Sequence, residues 1–295
     1  MRRSMLRSAA VLMTAGALVA VGTSSALAGP APVVQVVQVV GNGSSVHLST
    51  NSVKAGVVRF NVSTTVPLAS GGDSEISLIR LRSGVTLTKL LADFKDEFTD
   101  YPSIAARGTR ELVRDASFHG LADVVQGFPM SVTESLAAGT YYLLDTGTAQ
   151  PTLSSFTPFR VRYDYTSSAQ PALRSQFTVK LTSADRFVAP RYWAHKGTIT
   201  VANVSDTIHF MNLVPVKRGT TDKQIQKYFD SGVQAPPPFA LQGPSGGSDV
   251  LSPGTSLQLT YNLPAGTYAL LCFVADDVTG MPHAVMGMHK VVVLH

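Results

Sequence analysis

Four side chains in the last third of the chain could together bind a soft transition metal: His209, Cys272, His283 and Met288. The last three follow the spacing Cys-x10-His-x4-Met, and His209 comes from a separate apolar segment. Two imidazoles and a thiolate in one plane, with a weak thioether on the axis, suit an ion that cycles between Cu(I) and Cu(II). The residue types therefore predict one mononuclear copper site with these four ligands.

The elements around these residues are predicted to be strands. Cys272 ends the apolar run that begins at Gly266, and residues 291–294 form a last apolar strand. Elsewhere apolar and polar residues alternate, for example at 177–181 and 257–261, which is the period of a half-buried strand. Many short strands separated by Gly and Pro predict an all-β chain built as Greek-key β-sandwiches.

Three sequence blocks recur in the same order in the two halves of the chain, which indicates an internal duplication. They are residues 61–66 with 203–208, the set Gly84, Thr86, Leu90 and Phe94 with Gly219, Thr221, Ile225 and Phe229, and residues 136–144 with 263–271. The second block has the spacing of a short helix. The blocks predict two tandem sandwich domains, 29–166 and 173–295, each with a short helix insertion, joined by a linker at 167–172.

The first half serves as an internal control for the metal site. The aligned blocks place Pro67 opposite His209 and Asp145 opposite Cys272, and residues 146–162 contain neither His nor Met. The first domain is therefore predicted to keep the scaffold without the metal ligands.

The residues around the site resemble the cupredoxin family of blue-copper proteins. The segment 266–272, Gly-Thr-Tyr-Ala-Leu-Leu-Cys, is similar to the family's penultimate strand with its ligand cysteine, and 282–288, Pro-His-Ala-Val-Met-Gly-Met, is similar to its His-x4-Met ending. The resemblance implies that His209, Cys272 and His283 are equatorial ligands and that Met288 is the axial one. It departs from small cupredoxins at Phe210, where these usually have an asparagine.

Each candidate ligand also has an interpretation without a metal. A lone cysteine with apolar neighbours is usually a core residue, His209 could be a hydrogen-bonded core histidine, and Met288 could fill a core gap. Catalysis is not expected, because Leu271 and Phe273 flank Cys272 where multicopper oxidases have histidines. Two further hypotheses stay open: a Cu(I) store or chaperone assisted by Met281 and Met286, and a metal-free β-sandwich surface or interaction protein.

The first residues predict that the protein is exported. Arg2, Arg3 and Arg7 precede an apolar stretch, and Ala26 to Ala28 supply a cleavage site, so residues 1–28 are interpreted as a signal peptide, for general or twin-arginine export. The remaining chain has 21 basic and 19 acidic residues, which argues against a nucleic-acid partner. It contains no apolar run that could span a membrane. A secreted electron-transfer or copper-handling protein is expected, with a redox or copper-delivery protein as partner.

Overall fold

A computed structural model describes residues 34–164, 174–233 and 235–295. The predicted signal peptide and the linker at 167–172 lie outside these residues. The described chain consists mainly of strands in two sheets, with three α-helices, which confirms the all-β prediction. Among the described residues, none of the helices has the length and apolar character needed to cross a membrane.

The first half contains nine strands and two helices within its described residues. They are β1 Gln35–Gly41, β2 Val46–Leu48, β3 Ser52–Lys54, β4 Gly56–Thr64, β5 Ser74–Leu81, α1 Leu87–Glu97, α2 Pro102–Asp115, β6 Ala116–Val124, β7 Met130–Leu136, β8 Gly139–Asp145 and β9 Thr157–Arg162.

The second half contains nine strands and one helix within its described residues. They are β10 Thr178–Thr182, β11 Arg186–Val188, β12 Tyr192–Trp193, β13 Lys196–Asn203, β14 His209–Val216, α3 Asp222–Asp230, β15 Gly246–Leu251, β16 Ser256–Asn262, β17 Gly266–Leu271 and β18 His289–Leu294.

Strands from both halves share both sheets. The eight-stranded sheet has the order β11-β10-β13-β16-β7-β4-β1-β2, and the ten-stranded sheet has the order β12-β18-β17-β14-β15-β6-β5-β8-β9-β3. The halves meet where β16 pairs with β7 and where β15 pairs with β6, both antiparallel. The two halves are therefore continuous in hydrogen bonding, and the domain boundaries inferred from the sequence stay a prediction.

The core lies between the two sheets and follows from strand alternation. On β4, Val58, Phe60 and Val62 are fully buried, whereas Arg59 between them is exposed. The ring of Phe60 meets the ring of Phe159 on β9 of the opposite sheet, with centroids 5.6 Å apart. Full burial of such a side chain stabilises the fold by about 1.5–3 kcal/mol.

The repeated Gly-x-Thr block marks the start of equivalent helices in the two halves. Thr86 caps α1 and Thr221 caps α3, each by accepting a bond from the backbone N–H three residues later, at 3.2 and 3.3 Å. Such a cap satisfies one of the free N–H groups of the first turn. Gly84 and Gly219 have φ angles of 81° and 86°, which only glycine adopts readily. The predicted helix insertion is confirmed in both halves.

Helix α2 is not anticipated by the sequence analysis, and it packs onto the region that follows Cys272. A Cβ atom at Gly108 of α2 would lie 2.3 Å from the backbone nitrogen of Glu97, so glycine is needed for the close approach of α2 to α1. Thr109 Oγ1 of α2 donates to the carbonyl oxygen of Ala275 at 2.8 Å. The first-half helices are therefore bonded to the loop that leaves the candidate metal site.

Candidate metal centre

His209 begins β14, and a turn held by Asn203 leads into it. The Asn203 side-chain amide donates to the carbonyl oxygens of Thr207 at 2.8 Å and of Leu251 at 2.7 Å. Its Oδ1 accepts from the backbone N–H of Ser205 at 3.0 Å. These bonds satisfy a buried amide and fix the turn, and His209 is fully buried after it.

Cys272 directly follows β17, and the loop after it brings His283 and Met288 back to the same end of the sheet. The carbonyl oxygen of Cys272 accepts from the backbone N–H of Ala284 at 2.7 Å, and the N–H of His283 donates to the carbonyl oxygen of Val274 at 3.0 Å. The N–H of Met288 donates to the carbonyl oxygen of His283 at 2.8 Å. Backbone hydrogen bonds therefore hold all three residues close together.

Glycine is required just before Met288. Gly287 has a φ angle of 107°, and a Cβ atom there would lie 2.9 Å from the guanidinium of Arg186. That guanidinium also donates to the carbonyl oxygen of Met286 at 3.4 Å. The hairpin that joins β10 and β11 thus supports the loop that carries His283 and Met288.

The donor atoms of His209, Cys272 and His283 converge on one point. The two Nδ1 atoms are 3.1 Å apart, and the Sγ atom of Cys272 lies 3.8 Å from Nδ1 of His209 and 3.6 Å from Nδ1 of His283. In a triangle with these sides, the point equidistant from all three atoms is about 2.0 Å from each, close to the distances at which imidazole and thiolate bind a transition metal. The spacing therefore fits one ion held by these three residues.

The protonation states of these groups follow from their burial. Burial lowers the pKa of His209 to about 3, helped by the neighbouring imidazole, and lowers the pKa of His283 to about 4. Both rings are therefore neutral at pH 7, which is the form that binds a metal. Burial raises the pKa of the Cys272 thiol to about 12, so an ion must displace its proton when it binds.

Met288 is the one fully buried methionine of the loop. Met281 and Met286 are 41% and 36% exposed, so of these three thioethers only that of Met288 lies in the interior with the two imidazoles and the thiol. The four predicted site residues are thus brought to one end of the second half, and their role as ligands stays a prediction.

Two carboxylates that the sequence analysis did not connect with the site lie near His283. Oδ1 of Asp185 is 3.9 Å from Nε2 of His283, and oxygen atoms of Asp185 and Asp276 lie within 4.8 Å of an imidazole nitrogen of this histidine and of one another. Asp276 also closes its own turn, because its Oδ1 accepts from Thr279. Asp185 is the one described residue other than glycine with a positive φ angle, 51°, a conformation in which Asp is enriched.

The chemistry of the donor set fits copper. A thiolate and a thioether select soft ions, and imidazole suits copper. Among the described residues, Nε2 of His209 and Nε2 of His283 are buried without a hydrogen-bond partner, whereas their Nδ1 atoms face each other and the sulfur of Cys272. An ion held at the two Nδ1 atoms would satisfy that side of each ring and fix the remaining proton of each neutral ring on Nε2.

Among the described residues of the first half, no His and Cys side chains converge in this way, and its lack of metal ligands stays a prediction; the predicted alignment of Pro67 with His209 is wrong. Ser77 on β5 pairs with Leu144 on β8 as Asn212 on β14 pairs with Leu271 on β17. Three residues before Ser77 on β5 is Ser74, and three residues before Asn212 on β14 is His209, so Ser74 is the counterpart of His209 in the first half. The repeated blocks gave a different alignment because the turns before β5 and β14 differ in length. The predicted alignment of Asp145 with Cys272 agrees with the strand pairing, since Asp145 follows Leu144 and Cys272 follows Leu271.

No protein-family model and no curated protein sequence matches the chain. Among solved structures, it matches dithionite-reduced auracyanin from Roseiflexus castenholzii with 18% identity over 42% of this chain and 99% of that chain, at a TM-score of 0.25. It matches copper nitrite reductase from Nitrosomonas europaea with 10% identity over 89% of this chain and 94% of that chain, at a TM-score of 0.22.

A multi-copper oxidase from Pediococcus acidilactici matches with 9% identity over 89% of this chain and 59% of that chain, at a TM-score of 0.24. At these TM-scores the matches carry no conclusion about function, which has to come from the geometry of the site. In its all-β fold and in its His, Cys, His and Met donor set, the chain resembles the cupredoxin family.

Proposed function

We propose that the chain is an exported protein whose second half binds one copper ion through His209, Cys272, His283 and Met288. The observation that carries the proposal is the triangle of two Nδ1 atoms and one Sγ atom with sides of 3.1, 3.6 and 3.8 Å. Burial alone explains each residue as a core residue, but it does not explain why three donor atoms from separate segments face one another. Copper bound there would supply one-electron redox chemistry.

The residues of the chain prepare this site in three ways. His209 and His283 are neutral at pH 7, so they need not lose a proton before they bind. The loop from Cys272 to Met288 is fixed by its own backbone bonds, so little reorganises when the charge of the site changes. Water is kept away because the two imidazoles and Cys272 are fully buried.

Electron transfer or copper handling is favoured over catalysis. Cys272 lies between Leu271 and Phe273, and neither neighbour can bind a second metal. The loop after Cys272 also carries exposed apolar side chains, namely Phe273, Val278, Met281 and Met286. Exposed apolar groups clustered beside a buried site are typical of a surface that meets another protein, so we expect a redox or copper-delivery partner to dock on this loop.

A Cu(I) store or chaperone is the second candidate, and the exposure of Met281 and Met286 favours it. Thioethers select Cu(I), and two exposed ones on the loop of the site could accept an ion from a donor protein. Tight Cu(I) binding together with the absence of a coloured Cu(II) form would favour this role over electron transfer.

The test is to load the chain that follows residue 28 with Cu(II) and to measure its copper content and its visible absorption. We expect one copper per chain and an intense thiolate-to-Cu(II) band, both lost in Cys272→Ala. His47→Ala, which removes an exposed histidine of the first half, is the matched control and should change neither. A colourless, metal-free product that Cys272→Ala leaves unchanged would contradict the proposal and favour a metal-free surface or interaction protein.

A further inference from the structure

A cavity of about 480 Å³ lies between the ten-stranded sheet, the first-half helices and the loop after Cys272. Its size is within the range of sites for small molecules. The described residues that line it include five acidic side chains and five phenylalanines, and none of them is Lys, Arg or His. The acidic residues are Glu75, Glu97, Asp100, Asp123 and Asp249, and the aromatic ones are Phe94, Phe98, Phe118, Phe210 and Phe273.

Three of the carboxyl groups meet at the inner end of the cavity. Glu75 on β5 and Asp123 on β6 are directly paired across the two strands, so their side chains lie on the same face of the sheet. Asp249 on β15 is joined to this group through Ser77, whose hydroxyl donates to its Oδ2 at 2.8 Å. Asp123 and Asp249 are 4% and 8% exposed, so water compensates little of their charge.

The hydrogen-bond partners of these carboxyl groups are neutral and leave acceptor capacity unused. Asn212 donates to Oδ2 of Asp123, and Thr146 donates to Glu75 at 3.4 Å. Oδ1 of Asp123 is buried and has no hydrogen-bond partner. Burial and mutual repulsion raise the pKa of Glu75 to about 8 and hold the pKa of Asp123 well above its usual range. The free energy needed to ionise these buried carboxyl groups is therefore high, and a positive charge bound beside them would lower it.

The size and the walls of the cavity favour an organic cation over a metal ion. Ca²⁺ takes six to eight oxygen ligands within about 2.6 Å, whereas the phenylalanine side chains that line much of this space offer none. Aromatic faces attract ammonium groups and also pack against an apolar body. Phe273, at the outer end, is 48% exposed, which leaves that end open to solvent.

We propose that this cavity binds a small organic cation, an ammonium group on an aromatic or aliphatic body, with the ammonium at Glu75, Asp123 and Asp249 and the body against the phenylalanines. The cavity adjoins the candidate metal centre, because Phe210 and Phe273 directly follow His209 and Cys272. Binding in the cavity does not require copper, since none of the four residues of the candidate metal centre, His209, Cys272, His283 and Met288, lines the cavity.

The test is calorimetric titration of the metal-free chain with 2-phenylethylammonium, with 2-phenylethanol as the neutral probe of matching shape. We expect saturable binding of the ammonium and none of the alcohol at the same concentration. The double variant Glu75→Gln/Asp123→Asn should bind at least about tenfold more weakly, because it removes charge-assisted hydrogen bonds. Asp230→Asn, which changes an exposed carboxylate of α3, should bind as the unchanged chain does.

The same titration in Cys272→Ala separates this proposal from the proposed copper function, since binding should persist when copper binding is lost. Equal binding of the alcohol, or binding that the double variant leaves unchanged in a chain with normal circular dichroism, would overturn the proposal. Binding of Ca²⁺ or Mn²⁺ at the same residues, without displacement by 2-phenylethylammonium, would also overturn the proposal.

Discussion

Ser74 occupies in the first half the strand position that His209 occupies in the second. Each residue begins the strand that precedes a helix; the paired strand β8 ends at Asp145, and Cys272 directly follows the paired strand β17. In the second half, His209 and Cys272 face each other. At the equivalent place in the first half, Ser74 Oγ and Asp145 Oδ2 both accept from the backbone N–H of Gly43, at 3.2 and 2.8 Å. A backbone donor thus stands in the first half where the second half could hold an ion.

This relationship predicts a structural role for Asp145 that is independent of copper. Asp145→Ala leaves the buried N–H of Gly43 with a poorer acceptor and removes the bond from the N–H of Gly147, 3.2 Å long. Lost buried hydrogen bonds cost about 1–3 kcal/mol, so the free energy of unfolding should fall by this amount in chemical denaturation. Copper content should stay at one per chain. A loss of copper with unchanged stability would assign Asp145 to the metal centre instead.

Met288 should tune the bound copper without being needed to hold it. Met288→Leu keeps most of the buried volume and leaves the two imidazoles and the thiolate in place, so we expect one copper per chain and a shifted reduction potential, because the weak axial ligand sets the potential. Voltammetry of the loaded chain measures the shift. Met286→Leu, on the exposed side of the loop, is the control and should keep the original potential; the same shift in both variants would remove Met288 from the site.

Asp185 should act on copper through His283. Its carboxylate oxygen is 3.9 Å from Nε2 of that ring, too far for a hydrogen bond but close enough for its negative charge to raise the basicity of the imidazole. Asp185→Asn retains a residue that tolerates the positive φ angle, so the hairpin should persist. We expect copper affinity to fall by about tenfold and the visible band to move, while the metal-free chain melts at its original temperature.

Asp206→Asn is the matched control for Asp185→Asn, because Asp206 is an exposed carboxylate in the turn that precedes His209. Asp206 acts on His209 through its charge alone, so Asp206→Asn should lower affinity much less than Asp185→Asn does and leave the visible band in place. A drop in affinity that is equal in the two variants would mean that only the general negative charge near the site matters.

The sequence is enough to pick out the four side chains that the fold brings together, because their residue types are the ones that bind copper; their role as ligands stays a prediction. Cys272 is the only cysteine, and the spacing to His283 and Met288 is local, within one loop. The Gly-x-Thr blocks likewise locate α1 and α3, because capping depends on neighbours in sequence.

Features that depend on pairing over long distances could not be predicted. Strand register between β5 and β8 decides that Ser74 is the counterpart of His209, and no local pattern encodes it. The acidic cavity brings together Glu75, Asp123 and Asp249 from three separate strands. Taken alone, each of these residues has the pattern of an ordinary polar position in an alternating strand. Asp185 lies in a short hairpin about a hundred residues before His283, and only the fold brings the two together.

The carboxyl groups of the cavity should make the stability of the chain depend on pH. Burial and neighbouring carboxylates raise the pKa of Glu75 from 4.5 to about 8. Between these values the folded chain keeps a proton that the unfolded chain has released, so stability falls as the pH rises through this window. The acidic groups that repel Glu75 come from both halves, namely Asp73, Asp123, Asp145 and Asp249.

Glu75→Gln tests this dependence, because glutamine has the shape of the protonated acid and cannot lose a proton. At pH 5 the variant and the unchanged chain should melt at nearly the same temperature. At pH 8 the variant should be more stable by about 1 kcal/mol or more, which corresponds to a melting temperature about 2–4 °C higher. Asp230→Asn should show no such crossover. If the variant instead loses stability relative to the unchanged chain between pH 5 and pH 8, the Glu75 carboxylate is charged in the folded state. A cation that the cavity already holds would then compensate that charge.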